Sequence, residues 1–576
     1  MKVLLTAVNA KYIHSNLAVY DLRAYAEAYG TGGAQVEIGE YTINHTIDYI
    51  LEGIYKAKPD VLCFSCYIWN LDYVEQLMDE YHKICPEVPI WVGGPEVSYE
   101  TEAFLKAHPQ VTGAMVGEGE ETFLELCENY AKAGIGEMAE KMNLSGIKGI
   151  MYRAGESLVK TGAREPLDLN RIPFCYGGVE DFRNRIIYYE SSRGCPFRCS
   201  YCLSSVEKTL RFRDVERVKK ELAFFLEQEV AQVKFVDRTF NCRHEHAMGI
   251  WKFLIEHDNG VTNFHFEISA DLLTDEEIAL IGQMRPGLIQ LEIGVQSTNG
   301  ATITEIHRTM QLDRLKAVVR SIQEKENIHE HLDLIAGLPY EGYETFARSF
   351  DEIYALKPNQ LQLGFLKVLK GSYMYEHATE YGLIYRSRPP YEVLKTNWLG
   401  FGEILRIRQV EEMLEVYYNS GQYATAIRLL ETQYASAFAM FTELGTFYEE
   451  HGYFGMGHSR MRRAEILLEF AKERKPGLLP VLGEGLVYDL YERENLGSRP
   501  SWAADANEWK QMTRQYGKNG KQSHIERFFY RFSGHRQDTA SLPERLEDPV
   551  YVRFDYTRRD PLDHQARHEY LEPSGE

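Results

Sequence analysis

Twice along the chain, apolar runs of strand length alternate with helical patterns, and this alternation restricts the fold more than any other feature. In the first series Val3–Val8, Val61–Ser65, Ile90–Val92 and Val111–Val116 have the length and β-branched content of buried strands, with a shorter strand near Gln35–Gly39. Helical stretches such as Leu71–Ile84 and Thr122 to Ala133 lie between and after them. That order predicts a doubly wound parallel sheet with helices on both faces over residues 1–135, with ligands at the C-terminal ends of its strands. Residues 136–185 read as a linker with a small hairpin, Gly149–Arg153 and Leu158–Thr161 around the turn Ala154-Gly155-Glu156. The second series runs through Ile186–Glu190, Val233–Val236, Phe264–Ile268, Ile289–Gly294, His331–Ala336 and Gln360–Phe365. Six strand–helix units over residues 186–390 predict a partial (β/α) barrel whose site opens at the strand C-termini. Residues 391–576 read as a mainly helical domain, with helices over Ile404–Asn419, Ala424–Tyr448 and Ser459–Lys475. Within it, Trp509 through Phe532 mixes cations with aromatics and reads as a solvated amphipathic helix face.

A chain of 576 residues exceeds what one hydrophobic core supports, so this division into domains is required on size alone. Its 85 acidic and 64 basic residues leave a net charge of −21, which repels polyanions and argues against a nucleic-acid partner. No apolar run is long enough to span a bilayer, and Met1–Thr6 reads as a first strand rather than a signal peptide. The expected location is therefore cytoplasmic. In that compartment a tight cysteine cluster implies metal or catalysis rather than disulfides.

Such a cluster is present. Arg193-Gly194-Cys195-Pro196-Phe197-Arg198-Cys199-Ser200-Tyr201-Cys202 places three thiols in eight positions, directly after a predicted strand. Thiolates are the ligands that iron–sulfur clusters require, and three of them on a four-iron cluster leave one iron open for a substrate. Zinc would call for paired CxxC halves, which this spacing lacks. The C-x3-C-x2-C pattern, with an aromatic before its last cysteine, resembles the radical SAM superfamily. That resemblance implies a 4Fe–4S cluster on Cys195, Cys199 and Cys202. It also implies S-adenosylmethionine (SAM) bound at the open iron and cleaved reductively. The stretches ending the barrel strands are similar to those of radical SAM proteins with an N-terminal cobalamin domain, and by that similarity Tyr201, Asp237, Glu292, Gln296 and Asp333 are expected at SAM.

The preceding sheet in turn resembles the cobalamin-binding module of those proteins. Gly93-Gly94-Pro95-Glu96 and Gly117-Glu118-Gly119-Glu120 match two of its loops. The strand-end residues expected to hold the corrinoid are Asn9, Tyr12, Ser65, Tyr67, Trp69, Asn70, Gly93, Gly94, Glu96, Gly117, Glu118 and Gly119. The D-x-H-x-x-G motif that supplies a histidine to cobalt is absent, since His14 has neither the acid nor the glycine in register. Cys63, Cys66 and Cys85 could imitate the second cluster that radical SAM methylthiotransferases carry on an N-terminal α/β domain. Against that, Cys63 lies inside the apolar run Val61–Phe64 and reads as a core residue. The helical C-terminal domain resembles an extension of unassigned function found on one group of cobalamin-dependent radical SAM proteins. The resemblance implies an enzyme that methylates an unactivated carbon of a small-molecule or peptide substrate, with electrons from a donor such as flavodoxin or ferredoxin. The alternatives are a cobalamin-dependent cyclisation, rearrangement or oxidation, a methylthiotransferase, and a non-catalytic cobalamin or redox sensor.

Overall fold

The computed structural model describes residues 1–133, 143–177, 182, 185–206, 209–517, 522–532 and 541–571. It folds as two compact units. The first comprises Met1–Gln290, Thr304–Met310 and Leu366–Thr396; the second comprises Leu291–Ile303, Gln311–Phe365 and Asn397–Glu576. Among the described residues, no helix is long and apolar enough to cross a membrane.

The first unit begins with strands β1 (Lys2–Asn9), β2 (Gln35–Thr42), β3 (Val61–Ser65), β4 (Ile90–Gly93) and β5 (Gly113–Met115). They pair in parallel in the order β2-β1-β3-β4-β5. Seven of the eight residues of β1 are buried, as expected of a central strand covered on both faces. Helices Leu17–Tyr29, Ile47–Ala57, Leu71–Ile84 and Glu120–Ala133 supply that cover. The expected hairpin forms as β6 (Ile150–Ala154) and β7 (Ser157–Lys160), but it does not stand apart as a linker. β6 pairs antiparallel with β5, Gly113 opposite Tyr152, and extends the sheet to seven strands. The correction has a physical basis. β5 would otherwise end the sheet with unpaired amides, and Ile150 and Met151 are apolar enough to be buried beside it.

The same unit carries β8 (Ile187–Tyr189), β11 (Gln232–Phe235) and β12 (Asn263–Ile268), parallel and in the order β12-β11-β8. Between the first two lies a two-residue ladder, β9 (Ser192–Arg193) against β10 (Arg211–Phe212). The chain passes into the second unit within β13 (Ile289–Gln296), which is followed there by β14 (His329–Ala336) and β15 (Gln360–Phe365). Along β13, Leu291, Ile293 and Val295 are buried, while Glu292, Gly294 and Gln296 take the alternate face. β14 likewise sets Leu332, Leu334 and Ala336 against His331 and Asp333.

A short ladder of β16 (Ile384–Tyr385) and β17 (Val393–Lys395) falls in the first unit, and from Asn397 on the second unit is mainly helical. The stretch Ala424–Tyr448 is two helices, Ala424–Glu431 and Ala437–Glu450, rather than one. Ser436, extended at φ −152°, ends the break by accepting the Ala439 amide as an N-cap. The aromatic–cationic segment also differs from expectation. Among its described residues the α-helix is confined to Lys510–Tyr516; Ser523–Phe528 is strand β18 of a sheet with β19 (Val550–Arg559) and β20 (Ala566–Leu571), while residues 518–521 lie outside the described set. Trp509, Ile525 and Phe528 are buried there, so these aromatics form a core.

Candidate active site

The cysteine loop is held from three sides. Gly194 has φ +98°, and a Cβ there would stand 2.5 Å from the Thr209 carbonyl, so only glycine makes this turn into Cys195. Before it, buried Asp237 at the end of β11 accepts the Ser191 amide at 2.9 Å and the Ser191 and Ser192 hydroxyls at 2.9 and 2.5 Å. His246 Nε2 meets the Ser191 hydroxyl at 2.9 Å. Burial pushes the Asp237 carboxyl up to about 6 in spite of these donors. Asp237, expected at SAM, thus has both oxygens committed to the strand that leads into the loop. The loop itself is gripped by backbone bonds, Ser200 N to Ile306 O and Met374 N to Ser200 O, both 2.9 Å.

Arg308 completes the grip. Its Nη1 lies 3.8 Å from Cys199 Sγ and 3.3 Å from the Tyr201 hydroxyl. Burial raises the Cys199 thiol above its ordinary value while Arg308 opposes the shift. Cys195 Sγ lies 3.7 Å from Thr239 Oγ1. All three cysteines are free thiols, and Cys199 and Cys202 bracket one turn through the bond Cys202 N to Cys199 O, 3.1 Å. Three unbridged thiols on a loop of fixed backbone suit a cluster with one open iron. Arg308 went unseen in the sequence, where it is a single cation after a short helix with no motif around it.

In the second unit, Glu292, His331 and Asp333 come together, with ligand atoms all within 4.8 Å of one another. His331 Nε2 is 3.0 Å from Asp333 Oδ1. The only sequence signal for His331 was its shared face with Asp333, two residues on. Gln296, at φ +74°, precedes Ser297, whose hydroxyl donates to Glu341 at 2.6 Å. Ser349 donates to the same carboxylate oxygen at 2.9 Å, and burial pushes the Glu341 carboxyl up to about 7. This pair of strand ends therefore fixes the backbone from which Gln296 projects.

The strand ends of the N-terminal sheet divide into two groups. Some of the expected corrinoid residues are structural ties. Asn70 donates to Val8 O and Ser65 O at 3.0 and 2.9 Å and accepts the Tyr67 amide at 2.8 Å, joining β1 to β3. Asn9 donates to His14 O and to Glu40, and the Ser65 hydroxyl accepts from Asn16. Glu96 accepts the Tyr391 hydroxyl at 2.8 Å, and Glu118 is taken up by two arginines. His14 is engaged through Nδ1 with the Tyr188 hydroxyl at 2.6 Å. Cys63 and Cys66 are buried, and burial raises both thiols, as befits core residues.

The other group offers surface. Trp69 is 42% exposed and stacks on Tyr67 with centroids 4.4 Å apart and planes 8° apart, while Tyr12 is 62% exposed. Among the described residues other than its two chain neighbours, none has a heavy atom within 4 Å of where a Cβ on Gly117 would stand. Gly94, at φ +114°, brings its backbone so near Cys66 that a Cβ would stand 2.5 Å from Cys66 O. Flat aromatic faces beside closely approached backbone at parallel strand ends fit a planar macrocycle with a long tail.

Three successive stretches of the chain match known protein families. The B12 binding domain model matches residues 3–127, the radical SAM superfamily model 189–353, and a protein family of unknown function, DUF4080, 379–542. A cobalamin-dependent radical SAM methyltransferase, TokK of Streptomyces tokunonensis, is 27% identical over 348 residues, 56% of this chain and 49% of that one. An anaerobic magnesium-protoporphyrin IX monomethyl ester cyclase of Rubrivivax gelatinosus is 23% identical over 341 residues, 57% of this chain and 60% of that one. The chain thus spans about half the length of the first of these relatives and three-fifths of the second. In fold it is similar to the cobalamin-dependent S-adenosylmethionine radical enzyme OxsB, with a TM-score of 0.57 at 16% identity over 85% of this chain and 79% of that one. The chain carries a radical SAM domain behind an N-terminal B12-binding domain, and its cofactors are a 4Fe–4S cluster, SAM and cobalamin.

Proposed function

We propose that the chain transfers a methyl group to an unactivated carbon of its substrate. The observation that carries this reading is the B12-binding match directly ahead of the radical SAM match on one chain. When bound, the cluster and SAM supply a 5′-deoxyadenosyl radical and cobalamin supplies the methyl group; the protein's part is binding, orientation and exclusion of water. Cys195, Cys199 and Cys202 hold the cluster, with Arg308 donating toward Cys199 and Tyr201. Glu292, Gln296 and Asp333 are the side chains proposed to orient SAM, and Tyr12, Tyr67 and Trp69 those proposed to meet the corrin face. Electrons come from a small carrier such as flavodoxin or ferredoxin, and the protein works in the cytoplasm. The substrate is a small molecule or peptide.

The test is anaerobic reconstitution with cobalamin, dithionite and SAM carrying a deuterated methyl group. Labelled methylcobalamin together with 5′-deoxyadenosine is the expected result. 5′-Deoxyadenosine without any label on cobalamin would remove methyl transfer. It would favour the second reading, a cyclisation of the kind named for the Rubrivivax gelatinosus relative.

Gly94 gives a sharper check of the corrinoid loop. Alanine at φ +114°, with its Cβ 2.5 Å from Cys66 O, must displace the loop at a cost of about 1–3 kcal/mol. Gly94→Ala is expected to weaken cobalamin binding roughly tenfold. Equilibrium dialysis reads it, and an unchanged affinity would place the corrinoid elsewhere.

A further inference from the structure

Glu118 lies in the loop after β5, on the B12-binding sheet, and Glu120 opens the helix Glu120–Ala133 that follows it; Arg193 lies two residues before Cys195. A single guanidinium joins them. Arg193 Nη2 donates to Glu120 Oε1 at 2.7 Å and to Glu190 Oε2 at 2.8 Å, Nε donates to Glu190 Oε1 at 3.0 Å, and Nη1 is 3.3 Å from Glu118 Oε1. Arg211 stands opposite Arg193 on the β9–β10 ladder and also clasps Glu118, through Nη1 at 3.1 Å to Oε2 and through Nη2 to Oε1. Glu118 further accepts the Leu167 amide at 2.8 Å. Burial would raise the Glu118 carboxyl, but Arg211, Arg193 and that amide together hold it below the usual carboxylate range.

This network is not a surface ion pair. The side chains of Glu118, Glu120, Glu190, Arg193 and Arg211 are only 6–18% exposed. Opening it would leave buried charges uncompensated, so the two loops it joins hold or release together. One loop starts at Gly117, beside the open space on the corrinoid side; the other continues into Cys195. A ligand that orders either loop therefore lowers the entropic cost of ordering the other.

We infer that Arg193 is a positioning residue that couples the two cofactor sites. Cobalamin binding at Gly117–Glu120 and cluster assembly on Cys195–Cys202 strengthen each other, and by linkage the effect is reciprocal. The inference rests on the reading that both groups bind at these loops. It reaches further in assigning the Glu118–Glu120–Arg193–Arg211 network, rather than any contact to either cofactor, as the carrier of the coupling.

The experiment measures hydroxocobalamin affinity of the full chain by equilibrium dialysis, before and after anaerobic reconstitution of its cluster. The expected result is binding about fivefold or more tighter with the cluster in place. In Glu120→Gln and Arg193→Lys, which keep hydrogen-bonding side chains, the two affinities should converge to within about twofold. Equal affinities in the native chain would overturn the coupling, as would variants that keep the full difference. Because the native chain is compared with itself, the result does not depend on any variant folding. Absence of cobalamin binding in both states would instead remove the cofactor reading, and this inference with it.

Discussion

Replacing any one of Cys195, Cys199 or Cys202 by alanine is expected to leave a folded chain without the brown iron–sulfur absorbance and without reductive cleavage of SAM. As each thiolate is proposed to be a direct iron ligand, the loss should exceed the roughly 10–100-fold typical of changing a residue behind a metal ligand. The loop around the missing thiol has other supports, in Asp237 beneath Ser191 and Ser192 and in the bonds from Ser200 N to Ile306 O and from Met374 N to Ser200 O, so circular dichroism should change little. Cys242→Ala is the control. Burial is what chiefly raises the Cys242 thiol, and its removal should leave iron content at the native level. Full iron content and SAM cleavage in Cys199→Ala would refute the ligand assignment. Cluster loss in Cys242→Ala would make it a fourth ligand.

The second large effect concerns stability. Glu330 lies on the apolar face of β14, completely buried, and burial pushes its carboxyl up to about 8 against weak opposition from the Gln323 amide. In the unfolded chain the same group titrates near its ordinary value of about 4.3. Between those two values the folded chain keeps a proton that the unfolded chain releases. Stability is therefore highest below the unfolded value, declines by up to about 1.4 kcal/mol per pH unit as pH rises, and levels off above 8. Glu330→Gln keeps the shape and cannot ionise. It should raise stability by an amount on the order of 4 kcal/mol at pH 8 and only about 1 kcal/mol at pH 5. Asp21, Glu341 and Asp489, each buried and pushed up to about 7, share the direction, so the variant retains part of the slope. Thermal unfolding of both chains at the two pH values reads the difference, and a variant equally stable with the native chain at both would refute the assignment.

Much of the fold is legible in the residues alone. The runs Val61–Ser65 and Gln360–Phe365 are strands β3 and β15 residue for residue, and the remaining strands of both series differ at their ends by one to three residues. These assignments rest on local periodicity and side-chain shape, which a sequence displays directly. Where the reading fails, a distant partner decides. The hairpin at Ile150–Lys160 reads as free because nothing local shows that β5 needs a neighbour. The aromatics around Trp509 and Phe528 read as solvated because the sheet that β18 joins is completed by β19 and β20, well downstream.

The same division runs through the site. The sequence alone determined the strand–helix series and the three thiols after β8, because an eight-position cysteine spacing and the chemistry of thiolates are local properties. Tertiary structure decided what the surrounding polar residues do. Asp237 ties down Ser191 and Ser192 ahead of the loop, and Glu118 is clasped by Arg193 and Arg211. Arg308 came to Cys199 across 109 positions, and Arg193 to Glu120 across 73. A buried charge takes its role from whichever opposite charge the packing sets beside it, and no spacing along the chain records that choice.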